Sequence, residues 1–200
     1  MTLRAVAVGG AVSGTDGLER TLIGRARGGD PAAFRQIIER YGPAVQRLLV
    51  RLLGDRVSAE ESAQETFVRA HARILTLRDE DRLLPWLLGI ARMVSLEAHR
   101  ARRRTTSLDE ATHSTLDAVR TPESLLLTRE AQEQVAAAIA ELPPERRTAL
   151  LLRVDQGLGY DAIAETLGWS LSKVKNEIHR ARLDLRAAIA RAAGEDGGRR

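Results

Sequence analysis

The chain of 200 residues contains no cysteine. A disulfide framework, a zinc finger and thiol catalysis are therefore excluded at the outset. Lysine is nearly absent too: of 31 basic residues only Lys173 and Lys175 are lysine, and the rest are arginine. Aromatics make up 3% of the chain, so a core has to be built from aliphatic side chains. No apolar run approaches the length of about 20 residues that spans a bilayer. No stretch alternates apolar and polar residues over strand length, which leaves no basis for a sheet. The four histidines, at 71, 99, 113 and 179, lack metal-ligand spacing, and there is no glycine-rich phosphate loop. Acid pairs such as Glu60-Glu61 are explained as helix-start residues. Neither a catalytic constellation nor a cofactor or metal site is expected. The opening MTLRAVAVGGAVSG is interrupted by Gly-Gly and makes a poor signal peptide. It reads as a cytoplasmic tail, with no membrane insertion.

What the chain does have is helical periodicity. Apolar residues are 44% of the total, enough for a core, and the net charge is +4 with a pI near 10.2. That excess suits a polyanionic partner without requiring one. A short helix is expected from about Leu18 to Arg27. Asp30-Pro31 opens a longer one, in which Phe34, Ile37, Tyr41, Val45, Leu48 and Leu52 keep the period up to Gly54. Pro43 lies inside that pattern and is expected to kink or split it. Ser58 to Glu61 has the form of a capping box, opening a helix from about Ala59 to Leu75. Leu84, Leu87, Leu88, Ala91, Val94 and Ala98 carry another helix, which ends in Arg100, Arg102, Arg103 and Arg104. Thr105 to Val119 holds three acids, no Lys or Arg and no periodicity. The chain is thus expected to be all-α, with two helical domains joined by a flexible linker. A disordered tail covers 1–17, the first domain 18–104, the linker 105–121, the second domain 122–192 and a C-terminal tail 193–200.

The second domain contains the most informative stretch, YDAIAETLGWSLSKVKNEIHRARLDLR. Asp161 is placed to cap a short helix, and Gly168 supplies the left-handed residue that ends it. A second helix starts near Ser170 or Ser172. Val174, Ile178, Ala181 and Leu185 share one side of it, while Ser172, Lys173, Lys175, Asn176, His179 and Arg180 occupy the other. Two helices about a glycine turn, the second basic and polar outside, form a helix-turn-helix. Its cations would neutralise phosphates, and its Ser, Asn and His would reach base edges.

The segment LPPERRTALLLRVDQGLGYDAIAETLGWSLSKVKNEIHRARLDLR resembles the C-terminal DNA-binding domain of bacterial RNA polymerase sigma factors, specifically the extracytoplasmic-function (ECF) type of the sigma-70 family. AFRQIIERYGPAVQRLLVRLLGD with AEESAQETFVRAHARI resembles the family's first conserved block. PWLLGIARMVSLEAHRARRR resembles its promoter-melting, minus-ten-reading helix. The likeness covers roughly residues 20–190, in order. It implies that Glu61, Gln64, Glu65 and Phe67 lie in the helix that binds core RNA polymerase through its largest subunits. It implies that Trp86, Arg92, Arg100, Arg102, Arg103 and Arg104 serve the minus-ten side. Trp86 has core packing as its alternative role. The resemblance places Ser172, Lys173, Lys175, Asn176, Glu177, His179 and Arg180 on the minus-thirty-five side, and it implies an anti-sigma factor as a further partner. Three positions depart from the family pattern. Met93 stands where Asn is usual, Lys173 where Thr is usual, and Glu177 where Arg is frequent. Glu177 could accept from a cytosine amine or pair along the helix surface.

The function expected is that of a sigma factor that binds core polymerase and directs promoter-specific initiation. The residues by themselves leave two other readings open, a helix-turn-helix regulator that binds DNA alone and a helical protein–protein adaptor.

Overall fold

The computed structural model describes residues 15–105 and 129–197, and among these it holds eight α-helices and no strand. They are α1 (Thr15–Arg27), α2 (Pro31–Leu53), α3 (Arg56–Arg73), α4 (Leu83–Thr105), α5 (Arg129–Glu141), α6 (Pro144–Val154), α7 (Tyr160–Leu167) and α8 (Leu171–Gly197). Two short 3-10 turns, Ile74–Thr76 and Glu80–Arg82, lead from α3 into α4. The expected linker, and the start of the second domain expected at 122, fall mostly or wholly outside the described residues. Among the described residues no helix is long and apolar enough to cross a membrane.

Local chemistry explains most helix ends. The Asp30 carboxylate accepts from the amides of Ala32 (2.9 Å) and Ala33 (3.3 Å), so it satisfies two orphan donors of α2. Arg25 donates to the same carboxylate, and this hydrogen bond is the main reason its pKa lies below the ordinary value. Gly54 ends α2 at φ 81°, a left-handed geometry that costs a residue with a Cβ. Pro43 does not split the chain into two helices, for α2 is unbroken across it. Glu39, whose carbonyl loses its partner there, is exposed, so water can take the bond. The helix after Gly54 starts earlier than the capping box suggests. Asp55 is its N-cap, accepting from Ser58 N at 2.7 Å, and Ser58 lies inside the helix. Asp161 is likewise not a cap: α7 starts at Tyr160 after Gly159, and Asp161 lies in its first turn. Ser170 Oγ accepts from Lys173 N at 3.2 Å at the start of α8. That helix continues to Gly197, past the end expected at 192, through an alanine-rich stretch of high helix propensity.

The helices α1 to α4 pack into one group, with Ile23, Ile37, Val45, Leu48, Leu49, Leu83, Leu87 and Leu88 fully buried among them. The helices α5 to α8 make a second group around Leu151, Leu152, Ile163, Val174 and Ile178. The two cores are not separate, because their buried apolar residues form one continuous cluster. The bridge runs through α4 against α7 and α2 against α6. Thr166 Oγ1 donates to Ala162 O at 2.7 Å and lies 3.3 Å from Pro85 O, and Arg82 pairs with Glu165 at 2.9 Å. Gly89 of α4 lies against Thr166 of α7, where a Cβ would stand 3.4 Å from Thr166 O, in ordinary contact. Farther along, Arg51 Nε lies 3.4 Å from Asp155 Oδ2, both side chains being nearly enclosed.

Candidate nucleic-acid interface and partner surface

The helix-turn-helix closes as its residues demand. Gly168 adopts φ 65° after α7, and Trp169 N donates to Ala164 O at 2.9 Å across the turn. On α8, Val174, Ile178 and Ala181 are 0%, 1% and 0% exposed. Ser172, Lys175, Asn176, His179 and Arg180 are all exposed on the opposite side. The face split follows from 3.6 residues per turn, and it presents one side of donors and cations outward.

Two of the seven residues expected on that face are engaged elsewhere. Lys173 Nζ pairs with Glu145 of α6 at 3.1 Å and sits 4.1 Å from the centre of the Trp169 ring. Glu177 is turned towards α6, where Arg146 Nε donates to it at 3.1 Å. Arg146 Nη1 also donates to Asp184 at 2.6 Å, and these two bonds, the one to Asp184 first, hold its pKa above the ordinary arginine value. Arg180 reaches Glu177 only at 4.0 Å. Sequence reasoning missed Arg146. Its signal was acids seven residues apart on α8, which recur on one edge of a helix after two turns.

On α4, Arg100, Arg102 and Arg104 are exposed at the C-terminal end; only the backbone of Arg103 is described. Arg102 pairs with Asp55 at 2.9 Å, tying the end of α4 to the cap of α3. His99 Nε2 lies 3.0 Å from Leu52 O and makes a second tie. Trp86 and Arg92 line a hollow at the other end of α4, with Trp86 half-buried and packed on the core. The wall of that hollow carries arginines that were not singled out from the sequence, Arg69, Arg73, Arg78 and Arg82. They come from the end of α3 and from the segment that leads through the 3-10 turns into α4. Glu165 to Gly168 form its opposite wall, so α7 partly covers it.

On α3, Glu61 and Gln64 are exposed, and Glu65 is half-buried. Arg69 ties Glu65 (2.6 Å) to Glu97 of α4 (2.7 Å). The hydrogen bond from Arg69 holds the Glu97 carboxyl below the ordinary value. Phe67 is 7% exposed, so its ring belongs chiefly to the core, as the apolar side of α3 dictates. An apolar groove runs between α2 and α3, lined by Phe34, Ile38, Pro43, Gln64, Phe67 and Val68. Ile38 and Val68 leave 39% and 64% of their surface exposed beside it, an exposure that suggests a partner.

Comparison with known proteins agrees with this geometry. Residues 37–105 match the family described as "Sigma-70 region 2", and residues 132–185 match "Sigma-70, region 4". The chain is 31% identical over 174 residues to the RNA polymerase sigma-H factor of Pseudomonas aeruginosa, covering 82% of this chain and 90% of that one. It is 31% identical over 175 residues to the ECF RNA polymerase sigma-E factor of Haemophilus influenzae, covering 82% and 91%. Among solved structures, CnrH in complex with the cytosolic domain of CnrY superposes with a TM-score of 0.66 at 24% identity, over 86% of this chain and 97% of that one. The sigma factor RpoE in complex with the anti-sigma factor NepR from Bartonella quintana superposes at 0.64 and 23% identity, over 78% and 96%. The chain belongs to the extracytoplasmic-function sigma factors of the sigma-70 family and directs the initiation of transcription by RNA polymerase.

Proposed function

We propose that this sigma factor divides its work among three surfaces. The α2–α3 groove, with Gln64 in its lining, and the neighbouring face of α3 that carries Glu61 and Glu65 receive a helical segment of core RNA polymerase. The hollow and arginine-rich end of α4 serve the minus-ten side of the promoter. The outer face of α8 reads the minus-thirty-five side. The observation that carries the reading is the division of α8 into a buried Val174–Ile178–Ala181 stripe and an exposed polar, cationic face. Such a face supplies both the phosphate neutralisation and the base-edge donors that a recognition helix needs. An anti-sigma protein completes the set of partners. Its support is the family, together with the RpoE neighbour, which is held by one. The site of action is the cytoplasm, where the polymerase works.

The direct test is transcription in vitro. Purified chain added to core polymerase should give promoter-specific transcripts, and neither component alone should do so. A DNA-binding regulator or an adaptor would give none. Gln64→Ala combined with Glu65→Lys should weaken binding to core polymerase while the melting temperature changes little. A titration with unchanged affinity would remove the groove from the interface.

Readout by α8 is tested by selection from a library of minus-thirty-five sequences. Asn176→Ala should change the preferred sequence, at a cost of about 1–3 kcal/mol for the favoured base if its amide makes a bidentate contact. Lys175→Ala should lower affinity for all sequences alike, because a phosphate contact carries no base information.

A further inference from the structure

We infer that Arg146 and Glu177 form a positioning pair for the recognition helix, and that position 177 takes no part in base readout. The inference rests on the proposal above that α8 reads the minus-thirty-five side. Glu177 stands among exposed residues, yet its side chain is only 16% exposed, because it leans back onto α6. Arg146 grips two points of α8 at once, Glu177 at 3.1 Å and Asp184 at 2.6 Å. These two acids lie two helical turns apart on the same edge, so the grip resists both rotation and tilt of the helix. Rotation matters: one residue of slip turns each side chain by about 100° and would carry Asn176 off the DNA. The planar guanidinium suits this role, since its fork fixes direction as well as charge.

The pair also solves an electrostatic problem. A carboxylate on a DNA-facing helix repels phosphates, and the free acid would oppose the arginines and lysines around it. Arg146 neutralises Glu177 from behind. The Glu145–Lys173 bridge, 3.1 Å, ties the first turn of α6 to the first turn of α8 in the same way. The first turn of α6 therefore holds the recognition helix at three points, Lys173, Glu177 and Asp184, and DNA contact is left to Ser172, Lys175, Asn176, His179 and Arg180.

The test uses the full chain assembled with core polymerase, the minus-thirty-five library and three variants, Glu177→Ala, Arg146→Ala and the double substitution. Glu177→Ala should leave the preferred sequence unchanged. Arg146→Ala, which releases both anchors of the helix, should lower affinity for the preferred sequence by about tenfold, equivalent to ~1.4 kcal/mol, and narrow its margin over other sequences, because the helix is freed to rotate and two unneutralised acids face the DNA. That loss should shrink as salt rises, since added ions screen the repulsion. The double variant should recover part of it. The inference is overturned if Glu177→Ala selects a different base, or if the two single effects simply multiply. It is also overturned if the Arg146→Ala loss is insensitive to salt. Asn176→Ala in the same selection separates the two levels. If it shifts the preferred base while Glu177→Ala does so too, only the pairing inference falls. If Asn176→Ala shifts nothing, the outward face itself is misassigned and both fall. A thermal melt of Arg146→Ala shows whether that variant is folded, and the Glu177→Ala arm decides the readout question independently.

Discussion

Ile178→Ala is expected to destabilise the protein by about 2–5 kcal/mol, the range for truncating a buried aliphatic side chain to alanine. Ile178 is 1% exposed and sits in the cluster that joins Val174, Ile163 and Leu167 to the core of the first four helices. The loss has two parts, the transfer of the removed methylenes and the cavity left where neighbours cannot collapse. For a chain of this size it should lower the melting temperature by about 4–20 °C. Leu183→Ala, five residues on, supplies the contrast. That side chain is 47% exposed, and its truncation should stay within about 0.5 kcal/mol. Thermal and urea unfolding of the two variants side by side check the point. Equal melting temperatures would mean that the buried and exposed sides of α8 have been misassigned.

Arg51→Leu should have an effect of comparable size at a different place. It leaves Asp155, a side chain only 9% exposed, without its nearest cation. Removing one partner of a buried pair costs about 3–5 kcal/mol, because the remaining charge has no solvent to take it. The penalty falls on the docking of α6 against α2, so the two helical groups should separate, which small-angle scattering or a pair of fluorophores would detect. Asp155→Leu added to Arg51→Leu should restore much of the loss. The pH dependence has a definite sign. Burial, more than any other influence, pushes the Asp155 carboxyl above its ordinary value, with Arg51 and Arg47 pulling the other way. The docked protein thus binds this proton more tightly than the unfolded chain does. Its contribution to docking is greatest in acid and declines as pH rises from the ordinary carboxylate range through the raised value. Asp55 behaves oppositely. Its pKa is lowered despite burial, by the amide and hydroxyl of Ser58 and by Arg102, so its contribution is lost as pH falls through that lowered value. Docking that weakened on mild acidification would contradict the assignment for Asp155.

The parts of this fold that were legible in the sequence are those governed by neighbours within a turn or two. Asp30-Pro31 and Gly54 bracket α2, Gly168 ends α7, and the Val174–Ile178–Ala181 spacing predicts the buried side of α8. Where two local rules competed, the choice between them was not visible. Asp55 and Ser58 are both good caps, and the structure uses the earlier one. Proline usually interrupts a helix, but Pro43 lies on the exposed side of a long amphipathic one whose packing keeps it intact. Of the candidate sites, the outward residues of α8 followed from periodicity, while the acids and amide of α3 were named through the family resemblance. The partners of Glu177 and Lys173 did not, since Arg146 and Glu145 lie on another helix, 31 and 28 residues away. The meeting of Thr166 with Pro85 spans 81 residues, and no rule of spacing reaches that far.

The contact at Gly89 has a consequence for how the protein counts its DNA contacts. With α7 resting on α4, the two surfaces proposed to meet DNA are held side by side. Sites named for positions ten and thirty-five are about 25 base pairs apart, or about 85 Å along the duplex at 3.4 Å per pair. If each half meets its own promoter element as proposed, the docked chain is monovalent towards a promoter, because one half can be seated only while the other is out of reach. Undocked, it is bivalent, and the second half binds at the effective concentration set by the tether. The free energy of the α4–α7 and α2–α6 contacts is thus subtracted from the avidity of every two-site complex. A substitution that tightened these contacts would leave the affinity of each half for its own element untouched and weaken only their joint binding.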